Sequence, residues 1–149
     1  MADKHIAMIG ENSYKWLTVY LTVLKSTGVF VPIDRELPCK DIINVLKHSD
    51  SEVLFYSEKY EKWIQEIKAN VPNIKFFIGL NRHENEGNIL SYDIFKQTGK
   101  TVLEQGSKIY TDLKDDENKL KLLVYTSGTT GAPKGVMLTE HNLISVVYY

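Results

Sequence analysis

Between residues 5 and 80 the apolar positions follow two alternating spacings: short continuous runs that suit buried strands, and 3.6-residue patterns that suit helices packed on one side. The run 5–9 (HIAMI) reads as a strand closed by Gly10. Asn12 or Ser13 then offers a cap to a helix with Trp16, Leu17, Tyr20, Leu21 and Leu24 at helical spacing. Val19 and Val23 widen its apolar face, so this helix is expected to be mostly buried. Residues 29–33 (VFVPI) form a second strand, which Pro32 either ends or confines to an edge by removing a ladder donor.

The rhythm continues with Pro38 in the first turn of a helix carrying Ile42, Ile43 and Leu46, and with a strand at 53–56. Ser57 offers a cap to a helix with Tyr60, Trp63, Ile64 and Ile67 at i, i+3, i+4 and i+7, ended by Asn70 and Pro72. A strand at 75–80 follows. The Trp16 and Trp63 stripes read as core. Strands alternating with helices predict an α/β domain built on a mostly parallel sheet flanked by helices. Residues 81–119 break the pattern: the segment is polar, holds Gly87, Gly99 and Gly106, and is expected to be irregular with one or two short helices. Its acidic run Asp115, Asp116, Glu117 reads as a solvated approach to the next strand rather than as a metal site. Residues 120–149 then predict a strand, a loop, a strand and the start of a helix.

Composition narrows the class without naming a function. Apolar residues at 43% and charged residues at 25% fit a folded globular domain rather than a disordered or fibrous chain. A net charge of −1 supplies no basic surface for nucleic acid or an anionic membrane. The most apolar stretch, 16–24, is too short to span a bilayer, and the amino terminus lacks a secretory pattern. Cys39 is the single cysteine, and His5, His48, His83 and His141 show no zinc-ligand spacing; a cytoplasmic setting is the expectation.

The candidate chemistry is concentrated after residue 125. The strand LKLLVY at 120–125 runs into Thr126, Ser127, Gly128, Thr129, Thr130, Gly131, Ala132, Pro133, Lys134 and Gly135, which place four hydroxyls, three glycines and a lysine within ten residues. Glycines let backbone N–H groups approach an anion, hydroxyls donate to phosphate oxygens, and Lys134 adds a mobile positive charge. A flexible linker would need neither the preceding strand nor Pro133 and the terminal lysine. The stretch is not the G-x-x-x-x-G-K-[ST] loop: its sixth position is Pro133 and its eighth is Gly135, so the Mg²⁺-binding hydroxyl is missing, and Val136-Met137-Leu138 continues as a strand. The dinucleotide fingerprint is absent after the first strand, where Gly10 stands alone.

Residues 125–136 (YTSGTTGAPKGV) resemble the signature loop of the adenylate-forming superfamily: acyl-CoA synthetases, peptide-synthetase adenylation domains and luciferases. Residues 24–34 (LKSTGVFVPID) are similar to an upstream motif of the same family. Glu11-Asn12-Ser13, Pro38 and residues 138–143 (LTEHNL) also fall where the family has similar residues, so the resemblance covers nearly the whole chain. The turn Asp34-Arg35-Glu36-Leu37-Pro38 and the long polar approach resemble bacterial long-chain acyl-CoA synthetases more than peptide-synthetase domains.

The resemblance implies ATP-dependent, AMP-forming activation of a carboxylic acid, a fatty acid in this subfamily, followed by transfer to coenzyme A. An amino-acid adenylation domain is the enzymatic alternative, and a nucleotide-binding fragment without activity is the alternative from another class. The resemblance assigns the ATP phosphates to Thr126, Ser127, Gly128, Thr129, Thr130, Gly131 and Lys134, with Mg²⁺ carried on those phosphates. It implies no catalytic residue in this sequence: the family's catalytic lysine, adenine motif and ribose motif lie in regions not present here. Leu143, Ile144, Val147 and Tyr148 are still in helical register at the end, so a fragment of a longer AMP-binding domain is expected, with exposed apolar surface and a tendency to self-associate. His141 is read as structural, Cys39 as inert, and Asp34 as a turn former.

Overall fold

The computed structural model describes residues 4–114, 116–126 and 133–146. Seven strands form one sheet in the order β5-β4-β3-β1-β2-β6-β7. They are β1 (His5–Ile9), β2 (Val29–Pro32), β3 (Val53–Tyr56), β4 (Phe76–Gly79), β5 (Ile89–Ser91), β6 (Leu120–Thr126) and β7 (Lys134–Thr139). All neighbouring pairs are parallel except β6 with β7. The expected mostly parallel α/β sheet is the one observed.

β1 is central, and its side chains alternate between two cores. Ala7 and Ile9 join Val31, Leu54, Tyr56 and Phe77 under α2 (Cys39–His48) and α3 (Ile64–Asn70). Ile6 and Met8 join Phe30, Phe55 and Ile78 under α1 (Tyr14–Lys25) and α4 (Tyr92–Glu104). The period-2 exchange of faces explains why buried parallel strands read as continuous apolar runs. α1 begins at Ser13, whose hydroxyl accepts from the Trp16 N–H. Pro32 ends β2 inside the sheet rather than at its edge, and the ladder continues through the Ile33 N–H donating to Met8 O at 2.9 Å. The expected strands and helix at 120–149 are present as β6, β7 and α5 (Glu140–Ser145), capped by a reciprocal Thr139–Asn142 pair; residues 147–149 lie outside the described residues.

Three expectations are corrected. α1 is not mostly buried: Val19 and Val23 are, while Leu17 and Leu21 stay 51% and 54% exposed, because the sheet covers only one side of the helix. Ser57 caps nothing with its side chain, and its hydroxyl goes to Glu11; a 3-10 turn at Glu58–Trp63 precedes the shorter α3. Residues 81–119 contain β5 and the 13-residue helix α4. The polar outer face of α4 hid its amphipathic pattern, and a three-residue strand is below the length at which periodicity can be read.

Lys121 is buried on β6, and its ammonium donates to Ser26 O, just past the end of α1, at 2.7 Å and stands 3.5 Å from a Glu140 carboxylate oxygen. That cation thus satisfies a helix C-terminus and ties β6 to α1 and α5. Phe30 is fully buried against the stacked Trp16 and Tyr20 rings, edge-on to both at 5.6 and 5.1 Å. Phe30→Ala is therefore expected to lower stability by about 3–5 kcal/mol in urea unfolding; a loss below about 1 kcal/mol would contradict this packing.

Candidate functional site

Parallel pairing sends the carboxyl ends of β1, β2, β3, β4, β5 and β6 to one edge of the sheet. In open α/β sheets this is the edge where ligands bind. Helices α1 and α2 start from it, so their N-terminal ends add positive potential there. The expected anion loop leaves from the same edge, since it joins β6 to β7.

Of the predicted site residues, Thr126 and Lys134 are described, and the sheet brings them face to face as the last cross-strand pair of the β6–β7 hairpin. Both are exposed. Ser127, Gly128, Thr129, Thr130 and Gly131 lie outside the described residues. One pair further down, Tyr125 faces Gly135. A Cβ on Gly135 would stand 2.8 Å from a Leu123 methyl and 3.4 Å from the Tyr125 ring, so glycine lets those side chains lie across the strand. The Tyr125 hydroxyl is 2.7 Å from His48 Nδ1, at the last residue of α2. Burial, then the Asp50 charge, pushes the Tyr125 phenol up from its ordinary value.

Charged groups elsewhere along the edge are largely matched locally. Arg82 is bonded to Glu61 and, at 2.8 Å, to Glu86. Arg35 pairs with Glu36 at 3.2 Å. Asp34 accepts from the Glu36 N–H at 2.9 Å, the turn-forming part expected of it. Glu11, after β1, accepts from the Ser57 hydroxyl, after β3. That bond, then one from its own backbone, holds the Glu11 carboxyl below its ordinary 4.5 against a smaller opposing effect of burial. The Glu11–Ser57 and Tyr125–His48 pairs were not foreseen, since 46 and 77 residues separate the partners and no local pattern marks them.

The remaining candidates fall away from this edge or outside its chemistry. β7 separates His141 from the loop by about 17 Å at roughly 3.4 Å per residue, and its ring faces Glu117 at 3.6 Å while its N–H donates to Glu117 O. Cys39 is half-buried near Glu66, and burial followed by that carboxylate pushes its thiol up to about 11, which leaves little thiolate at neutral pH. Asp116 and Glu117 approach β6 as exposed residues, and Asp115 lies outside the described residues.

A family model described as AMP-binding enzyme matches residues 2–149. This chain belongs to the AMP-binding enzyme family. Among relatives of this chain, a medium-chain-fatty-acid–CoA ligase of Ectopseudomonas oleovorans is 29% identical over 144 residues, which cover 93% of this chain and 25% of the ligase. Tyrocidine synthase 3 of Brevibacillus parabrevis is 27% identical over 145 residues, covering 97% of this chain and 2% of the synthase. The crystal structure of the anthranilate CoA ligase AuaEII in complex with anthranoyl-AMP superimposes with a TM-score of 0.77 at 21% identity, over 93% of this chain and 25% of the ligase chain. The chain thus has the fold of part of that ligase and spans a quarter or less of the length of these proteins.

The Glu11–Ser57 pair gives a pH dependence with a definite sign. A carboxyl whose folded pKa is depressed stabilises the fold fully above its unfolded value and stops doing so as pH falls through the folded pKa. Ser57→Ala is expected to move the Glu11 titration upward by NMR and to make the variant's stability deficit shrink on acidification below about pH 4; a Glu11 titration unchanged in the variant would contradict the assignment.

Proposed function

We propose that this chain is the phosphate-binding part of an enzyme that uses ATP to activate a carboxylic acid as an acyl-adenylate. The carrying observation is the stretch 125–136, which resembles the family's loop along twelve residues and is rooted at the carboxyl edge of a parallel sheet. In the reaction a substrate carboxylate oxygen bonds to the α-phosphorus, the α–β phosphoanhydride breaks, and pyrophosphate leaves. The electron pair of the broken bond ends on pyrophosphate, so a group that neutralises charge on the β- and γ-phosphates favours the step. In this reading the Lys134 ammonium and the Thr126, Ser127, Thr129 and Thr130 hydroxyls do so, while Gly128 and Gly131 bring backbone N–H groups close. In this reading Mg²⁺ would come with the nucleotide, carried on its phosphates.

The favoured acid is a fatty acid, with coenzyme A as the second acceptor and the cytoplasm as the setting; the ligase relative and the 34–38 turn support this. Amino-acid activation is the second reading, favoured by the likeness to tyrocidine synthase 3. No helix of the described residues is long and apolar enough to cross a membrane. Net charge argues against a nucleic-acid partner.

By itself the 149-residue chain is expected to bind ATP or pyrophosphate without exchanging pyrophosphate into ATP in the presence of an acid. Lys134→Ala should weaken binding of inorganic pyrophosphate about tenfold by calorimetry at low salt, as loss of one exposed charge-assisted contact. An unchanged affinity, or robust exchange by the chain alone, would count against this assignment. Self-association belongs to the same proposal, because Leu17 and Leu21 on α1 and Val136 and Met137 on the edge strand β7 are exposed. Sedimentation is expected to show concentration-dependent dimers or larger species, and a monomer across the accessible range would refute it.

A further inference from the structure

The β6–β7 hairpin overhangs the strand that supports it. β2 ends at Pro32, and the Phe30–Leu122 register sets that residue level with Val124, so Tyr125 and Thr126 extend past their parallel neighbour. On the other side they pair only with β7, itself the last strand of the sheet. The Tyr125 ring reaches back from this overhang to α2. It lies over Gly135 and meets the His48 imidazole edge-on, with centroids 5.5 Å apart and planes at 89°. Its hydroxyl is 2.7 Å from Nδ1. The helix that carries His48 is anchored by the fully buried Ile42 and Leu46. Burial raises the Tyr125 phenol, which keeps its proton and can donate it to His48 Nδ1.

We propose that His48 is a positioning residue for the anion-binding turn: it holds the Tyr125 ring and, through the Tyr125–Gly135 and Thr126–Lys134 pairs, sets where Thr126 and Lys134 stand at the sheet's carboxyl edge. The inference rests on reading that turn as a phosphate cradle. An overhanging hairpin can pivot about its root, and a contact that removes the pivot lowers the cost of ordering the phosphate-binding groups. Neither His48 nor Tyr125 needs to touch the anion.

The test is the affinity of the 149-residue chain for inorganic pyrophosphate, by calorimetry at low salt, in a double-mutant cycle with urea unfolding of each variant alongside. His48→Ala and Tyr125→Phe should each weaken binding roughly threefold to tenfold, the value of one lost hydrogen bond. The double variant should be no weaker than the weaker single, because both remove the same contact. His48→Asn, whose side-chain oxygen can accept near the place of Nδ1, should recover most of the affinity. Wild-type affinity in both single variants, or losses that simply multiply in the double, would overturn the positioning role while leaving the cradle intact. A wild-type chain with no affinity for pyrophosphate would overturn the cradle reading and the inference with it.

Discussion

Burial of β1 on both faces is the constraint on which the rest depends. Ile6, Met8, Ala7 and Ile9 send alternate side chains into two cores, and both cores would open if that strand were lost. A strand buried on both faces needs parallel neighbours with helical crossovers to cover it. Parallel pairing then brings the carboxyl ends of six strands to one edge. Thr126 and Lys134 of the candidate site stand at this edge, where the helix starts add the electrostatics an anion favours.

The hairpin at 120–139 departs from that order, and its attachments show how the departure is tolerated. β6 enters the sheet parallel to β2 and is fastened by the buried Lys121 ammonium, which satisfies the Ser26 carbonyl past the end of α1 and faces Glu140. β7 then turns back antiparallel and becomes an edge. A hairpin whose root is fixed and whose tip extends beyond the neighbouring strand can present a loop to a ligand. A crossover helix, as in many phosphate-binding α/β loops, would instead place a helix N-terminus there. The absence of a Ser or Thr after Lys134 and the strand that follows it are two aspects of this difference.

Membership of the AMP-binding enzyme family accords with this geometry without dictating each residue's part. The relatives include a fatty-acid–CoA ligase and tyrocidine synthase 3 at nearly equal identity, so this region is common to proteins named for different products. The proposed phosphate-binding role fits that breadth, since the phosphates of ATP are the same whatever acid an enzyme activates.

Much of the fold was legible in the chain because strands buried on both faces and helices packed on one side have periods that survive in a single sequence. The first four strands, α2 and β6 were readable for that reason; the candidate cradle was marked by residue types that lie together within ten positions. The 13-residue α4 was hidden by its polar outer face, and the Ser57 hydroxyl was drawn from the expected cap to Glu11 by a strand that ends beside its own. Sequence by itself determined the alternation of elements, the cores and the chemistry of the loop, because each is a local matter of spacing and residue type. Only the tertiary structure decided that β6 would lie beside β2, that α1 would keep an uncovered apolar stripe, and that His48 would meet Tyr125. Those outcomes depend on which surfaces are left to pair once the central strands are buried, and no spacing along the chain encodes that.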